Sequence, residues 1–288
     1  MATARKLLII GFDSMDYDIV LETGILKDFQ IRPMLEPEPL SGPGWATLYT
    51  GLPMKAHGIT SVHGIYPDKN SKAFGTCRCK FMWEYLNEAN LEVELFALPV
   101  TYPPRKVNRY MVSGGIIPDG NFKNPPDIQI DRYYTDIWDY FRQTKAFLSR
   151  EAKIKNNYVR EFQGQNRNKP DVGLGRVYSD INDRILSNFL NLHTESPLCF
   201  VGFCFLDRIG HWSRFDSFQR EYWYAKAEQI VEYLKYKLEG YAVMVVSDHG
   251  RPIDDDVTKH SKKGVFAYCG PGKIPAKKSN QFDFLPTV

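Results

Sequence analysis

No apolar run in this chain approaches the ~20 residues that a membrane-spanning helix needs. No internal repeat or low-complexity tract interrupts it, and neither sign of charge dominates, with 37 Lys and Arg against 34 Asp and Glu for a net charge of +3. That balance, without a concentrated basic stretch, excludes a dedicated nucleic-acid binder but suits a small anionic substrate. The polar start Met1–Lys6 leads straight into the four apolar residues Leu7–Ile10, too short for a signal-peptide core. With no spanning segment either, the expectation is a cytoplasmic protein without a membrane partner. Cysteine is scarce and odd in number, five without framework spacing, which fits reduced thiols and excludes a disulfide scaffold. Cys77 and Cys79 find no second pair at a suitable spacing, so a cysteine-held metal is set aside.

What the chain does contain is enough apolar residue, 43% over 288 positions, to bury one large core. Leu7–Ile10, Leu198–Leu206 and Ala242–Val246 read as buried parallel strands, each followed by an aspartate: Asp13, Asp207 and Asp248. Val93–Leu98 is a further strand, running into the stiff loop Pro99–Pro104, and Gly264–Tyr268 is strand-like. Helical patterns over Phe81–Ala89 and Phe218–Leu238 alternate with these strands. The expected fold is therefore α/β, a doubly wound and mainly parallel sheet in a single domain over 1–288. Residues 116–196, rich in Tyr, Asn, Lys and Arg, read as a mostly helical insert over the sheet edge. Helical patches at Tyr134–Phe147 and Tyr178–Leu192 flank a polar link from Gln163 to Asp171.

In such a sheet, ligands bind at the carboxyl ends of the strands, so three aspartates distant in sequence can converge there. Asp207 and His211 are four apart, on one face if the segment is helical. Asp248 and His249 are adjacent, and His260 follows in a polar loop. Carboxylates with neutral imidazoles suit zinc first and manganese second. The remaining histidines, His57, His63 and His193, read as ordinary core or surface residues. Ser41 stands where an extended, Pro-rich approach meets a short helix stopped by Gly51. It reads as an N-cap, or as a nucleophile held beside an anion pocket formed by Gly42 and the N–H groups after it.

These residues also carry a resemblance. GFDSMD at Gly11–Asp16, the Ser41 loop with Thr50-Gly51 and His57–Ile59, DRIGH at Asp207–His211, SDHG at Ser247–Gly250 and His260 resemble the ordered motifs of the alkaline phosphatase superfamily. The branch most similar is the type I phosphodiesterase/nucleotide pyrophosphatase group with its prokaryotic phosphohydrolase/phosphomutase-like relatives. PVTYPP at Pro99–Pro104 and MVSGG at Met111–Gly115 are similar to those relatives. The resemblance implies two divalent metal ions, one held by Asp207, His211 and His260, the other by Asp13, Asp248, His249 and the Ser41 oxygen. It implies that Ser41 attacks phosphorus to give a phosphoserine, that the Gly42 N–H steadies the phosphoryl oxygens, and that the substrate is a small phosphate ester, a nucleotide among the candidates. The group usually has Thr at the nucleophile and a nearby Asn; here Ser41 stands and no Asn follows in the loop, leaving Arg208, Lys55 and Lys262 as unranked replacements. A phosphodiesterase/nucleotide pyrophosphatase is the leading expectation, a phosphomonoesterase or phosphomutase the alternative, and an inactive binding module a third. A sulfatase is disfavoured because Trp45 stands where its motif has Arg.

Overall fold

The computed structural model describes residues 6–35, 39–60, 77, 79–115, 122–131, 133, 172–212, 217–253, 256–272 and 279–280. Tyr134–Phe147, the link Gln163–Asp171 and His63 lie outside them. Alternation decides the architecture. Strand β1 (Lys6–Phe12) sends Leu8, Ile10 and Phe12 into one apolar layer and Ile9 into another. Helices α1 (Tyr17–Thr23), α5 (Val172–Leu192), α6 (Phe205–Trp212) and α7 (Ser217–Lys237) pack in the first layer; α2 (Ser41–Thr50) and α4 (Met82–Glu88) pack in the second. A sheet covered on both faces can afford strands that are apolar throughout, as β3 (Val93–Leu98) and β6 (Leu198–Phe203) are.

The five central strands run parallel in the order β7 (Tyr241–Val246), β1, β6, β3, β4 (Tyr110–Ser113). Beyond β7 the sheet turns antiparallel through β10 (Lys263–Cys269) to β2 (Gln30–Leu35), with β11 (Ser279–Asn280) outermost; beyond β4 lies the short antiparallel β5 (Lys123–Asn124). Because β1 lies between β6 and β7, the chain leaves three adjacent strands at one edge, where Asp13, Asp207 and Asp248 emerge. A separate hairpin of β8 (Pro252–Ile253) and β9 (Asp256–His260) carries His260 at its end, where the sequence suggested a loop. The run Leu198–Leu206 is also shorter as a strand than expected: it ends at Phe203, and α6 begins at Phe205 and carries Asp207 in its first turn.

The helix that presents Ser41 approaches the sheet closely. A β-carbon at Gly11 would lie 2.7 Å from Cη2 of the fully buried Trp45, so glycine is what lets the α2 indole lie flat on β1. Trp45 stacks on Tyr49, whose ring in turn meets Trp83 and Phe200, and this aromatic cluster fixes α2 against β6 and α4. The helix ends at Gly51 in the left-handed conformation, its N–H returning to the Thr47 carbonyl. A four-residue turn, α3 (Met54–His57), follows.

Candidate metal centre

Sequence gives Ser41 the chemistry of a cap, but the chain puts it elsewhere. Leu40 is the N-cap of α2, its backbone extended and its carbonyl taking the Gly44 N–H, and no side chain caps the helix. Ser41 is the first helical residue, and its hydroxyl turns inward instead, 3.2 Å from Asp13 Oδ1 and 3.1 Å from His249 Nε2. His249 Nε2 lies 3.5 Å from Asp13 Oδ1 and 3.2 Å from Asp248 Oδ2. These four residues form one buried group of donor atoms.

A second group stands beside it. The i, i+4 spacing on α6 brings His211 Nε2 to 3.3 Å from Asp207 Oδ1, and β9 delivers His260 Nε2 to the same carboxylate oxygen at 3.3 Å. The two imidazole nitrogens are 3.2 Å apart. The His249 and His260 rings, 4.3 Å between centroids, join the groups. The structure thus brings together Asp13, Ser41, Asp207, His211, Asp248, His249 and His260, all buried, at the carboxyl edge of the sheet. Gly42, also buried, follows Ser41 in the first turn of α2.

The donor set fits divalent cations. A tetrahedral ion with bonds of about 2.0 Å holds its donor atoms about 3.3 Å from one another; the separations are 3.1 to 3.5 Å in the first group and 3.2 to 3.3 Å in the second. His249 Nδ1 is 2.8 Å from the Gly250 carbonyl. A carbonyl only accepts, so Nδ1 carries the proton and Nε2 offers its lone pair to the centre, as a metal-ligating histidine must. The carboxylates show the same strain from the opposite side. Burial and the charge of Asp207 push Asp13 up to about 7, and burial with both neighbouring carboxylates pushes Asp248 well above its ordinary range. Burial acts on Asp207 too, but His211 beside it and hydrogen bonds from His211 and His260 hold its carboxyl well below the usual value. Burial, then the neighbouring His260, depresses His249 to about 3 and keeps it neutral.

Sequence reasoning missed the residues that hold these side chains. Ser14, in the left-handed region at φ 68°, donates its hydroxyl to Asp207 Oδ1 at 3.0 Å and stands 3.1 Å from His249 Nδ1, while its N–H reaches Asp248 Oδ1 at 3.3 Å. It sits inside the GFDSMD stretch, and its place between two aspartates was the available signal. Asp16 caps α1 through the N–H groups of Asp18 and Ile19 and accepts the Arg251 N–H. Ser247 accepts the Met15 N–H and donates to the His249 carbonyl, so the ends of β1 and β7 are sewn together.

The other histidines have local duties. His57 Nδ1 accepts the Ile59 N–H and its Nε2 meets Thr47 Oγ1 at 3.1 Å, and burial lowers it to about 4. His193 pairs with the buried Glu94. Cys77 and Cys79 spend their thiols on the carbonyls of Cys79 and Ala56. Of the three cations left unranked by the sequence, Lys55 and Lys262 are exposed, whereas Arg208 lies half-buried, with a guanidinium nitrogen 3.8 Å from Asp207 Oδ2.

Comparison with known proteins agrees with this fold. The model of the family described as type I phosphodiesterase/nucleotide pyrophosphatase matches residues 37–257. Among curated proteins no sequence matches. Of the solved structures, human ectonucleotide pyrophosphatase/phosphodiesterase 5 is similar at 14% identity and a TM-score of 0.50, over 85% of this chain and 57% of that one. The phosphonate monoester hydrolase of Agrobacterium radiobacter is similar at 12% identity and a TM-score of 0.54, over 98% of this chain and 72% of that one. At these identities the likeness is one of fold, and this chain spans just over half the length of the human protein. One expectation falls here: a similar structure is by its name an ectoenzyme, which contradicts the cytoplasmic location read from the sequence. That reading leaned on thiol count and the lack of an apolar segment, and neither decides a compartment; among the described residues no helix is long and apolar enough to cross a membrane. With a family match over more than half its length and a mainly parallel α/β sheet carrying the centre at its carboxyl edge, the chain belongs to the type I phosphodiesterase/nucleotide pyrophosphatase family of the alkaline phosphatase superfamily.

Proposed function

We propose that this chain is a metal-dependent phosphohydrolase that cleaves a phosphodiester or phosphoanhydride, with Ser41 as nucleophile and a phosphoserine intermediate. Asp13, Asp248, His249 and the Ser41 oxygen would hold one divalent cation and Asp207, His211 and His260 the other, zinc first and manganese second. When bound, such cations supply Lewis acidity, stabilising a serine alkoxide and the charge that gathers on a leaving oxygen. The observation that carries the reading is the Ser41 hydroxyl, released from capping and aimed at Asp13 and His249.

The chain's own groups do the rest. The hydroxyl proton leaves Ser41 along its hydrogen bond to Asp13. The positive end of α2 favours the resulting charge, and the Gly42 N–H, one of the helix's first and unclaimed donors, steadies an oxygen of the phosphoryl group. The Ser41 Oγ–phosphorus bond forms as the opposite P–O bond breaks, and the leaving oxygen takes the electron pair on the side of Asp207, His211 and His260. A water entering from that side then cleaves the phosphoserine and restores the hydroxyl. Ser14 and the Gly250 carbonyl keep the His249 tautomer fixed throughout.

The test is Ser41→Ala with bis-p-nitrophenyl phosphate and p-nitrophenyl phosphate as substrates and metal content measured in parallel. Turnover should vanish while fold and most bound metal remain, and the diester should be the better substrate of the unaltered protein. Full activity in the variant would remove Ser41 as nucleophile.

A further inference from the structure

Among the described residues, one further group of metal-ligating side chains lies outside the centre: Glu94, His193 and Cys199. The sheet builds it. Glu94 on β3 and Cys199 on β6 are direct neighbours in a parallel ladder, near the amino ends of their strands, so both side chains leave the same face side by side. His193, on the loop that joins α5 to β6, meets them there. Cys199 Sγ lies 3.4 Å from Glu94 Oε2 and 3.7 Å from His193 Nδ1. A tetrahedral zinc ion, with bonds of about 2.3 Å to sulfur and about 2.0 Å to nitrogen or oxygen, sets such sulfur edges at roughly 3.5 Å. The third edge, Oε2 to Nδ1, is a hydrogen bond of 2.7 Å. An ion would widen it by about 0.6 Å, and the His193 side chain, 15% exposed on its loop, stands where it can back away.

The surroundings are those of a ligand set. Glu94 Oε1 takes the Thr194 N–H and the hydroxyls of Thr194 and Ser196, which fixes the carboxylate and leaves Oε2 turned to His193 and Cys199. Three donors on one oxygen already compensate the buried charge, so a thiol and an imidazole converging on the other are more than compensation requires. Tyr110, opposite Glu94 in the β4 ladder, buries a hydroxyl that makes no hydrogen bond of ordinary geometry, a donor left over beside the group. His193 also lines the cavity of about 820 Å³ between α5 and α7, which gives an ion a way in.

Donor chemistry picks the ion. Thiolate, imidazole and carboxylate together exclude magnesium and calcium, which take oxygen, and suit zinc. We propose that Glu94, His193 and Cys199 bind one zinc ion, with water as the fourth ligand, at the end of the sheet opposite the Ser41 centre. On binding, the zinc–sulfur bond forms as the thiol proton passes to solvent. The imidazole gives up its hydrogen bond to Glu94, keeps one proton on Nε2 and offers the Nδ1 lone pair to the metal. The ion then ties β3, β6 and the loop before β6 at one point. No step of the reaction proposed above bears on this site.

Cobalt(II) is the probe, because a thiolate on cobalt gives a near-ultraviolet charge-transfer band that carboxylate and imidazole ligands do not. None of the ligands proposed at the Ser41 centre is a cysteine. Titrated into the full chain stripped of metal, cobalt should raise this band to a limit of one sulfur-bound ion per chain, and added zinc should abolish it. Cys199→Ala should lack the band at unchanged circular dichroism. Should that variant fail to fold, His193→Gln decides: the affinity read from the band, in competition with a chelator, should fall about tenfold or more. No band in the unaltered protein, a band that persists in Cys199→Ala, or unchanged affinity in His193→Gln would overturn the site.

Discussion

The Ser14 hydroxyl donates to Asp207 Oδ1 at 3.0 Å, joining residues 193 positions apart and tying the two donor groups to each other. Ser14 Oγ also stands 3.1 Å from His249 Nδ1, in the other group. Outer partners of this kind typically change metal affinity by about 10–100-fold. Ser14→Ala and Ser14→Gly should both weaken zinc binding within that range. The glycine variant, free of the penalty at φ 68°, should be the more stable of the two. Competition with a chelator and urea unfolding measure the two effects, and unchanged zinc affinity in both variants would leave Ser14 a backbone residue only.

Gly11 and Trp45 set the depth of α2. Gly11→Val would drive a branched side chain into the buried indole, and overpacking of this kind costs roughly 1–3 kcal/mol. Since the ligands themselves are untouched, metal content should hold while kcat falls more than stability alone explains, because Ser41 is carried on the displaced helix. Unfolding curves, metal analysis and turnover together check this.

How far the sequence discloses this molecule depends on whether a residue's role is local. β3 has the boundaries its apolar run suggests, Gly51 stops α2, and the spacing of Asp207 and His211 states their shared face. β2 was not legible, because Pro33 argues against a strand. Pro33 lies opposite Val265 of β10, and among the described residues β11 pairs with β2 at Met34 and Leu35, so Pro33 stands just outside that second ladder. Ser14 was not legible because its meaning comes from partners supplied by distant elements. Ser41 looked like a cap because capping is the commoner use of a serine at that place; only the position of Leu40 releases it.

Metal binding should favour the folded protein more at higher pH. Without cations, burial and Asp207 raise the folded Asp13 from 3.8 to about 7. The folded Asp13 then binds more protons than the unfolded one across that interval, so its share of the metal-free stability falls as pH rises from about 4 to 7, while the depressed His249 and His57 act in the opposite sense up to about 6.5. Cations need the deprotonated carboxylate, so metal affinity rises over the same interval. Thermal unfolding at pH 5 and pH 8 should show the zinc form gaining on the metal-free form at the higher pH, with a stabilisation of about 4 kcal/mol at a thousandfold excess over Kd. Parallel curves for the two forms would count against a cation between these carboxylates.

At the opposite end of the sheet, Glu94 gathers the hydroxyls of Thr194 and Ser196, the Thr194 N–H and His193. Burial alone would raise it, but these hydrogen bonds, His193 foremost, hold it at about 2 against an ordinary 4.5. A depressed folded value stabilises above the unfolded one and is lost as pH falls from 4.5 toward 2. Glu94→Gln should therefore cost on the order of 3 kcal/mol at neutral pH, and its deficit should narrow below pH ~4.5. Denaturant unfolding across that range is the check, and a deficit independent of pH would assign the loss to shape rather than charge.

The central claim is that Ser41 becomes covalently attached to phosphorus. Acid quenching during turnover, followed by peptide mass analysis, should find the mass of one phosphoryl-bearing substrate fragment or one phosphate on the peptide containing Ser41, and nothing there in Ser41→Ala of equal metal content. Sustained turnover with that peptide unmodified, or the label on another side chain, would contradict it.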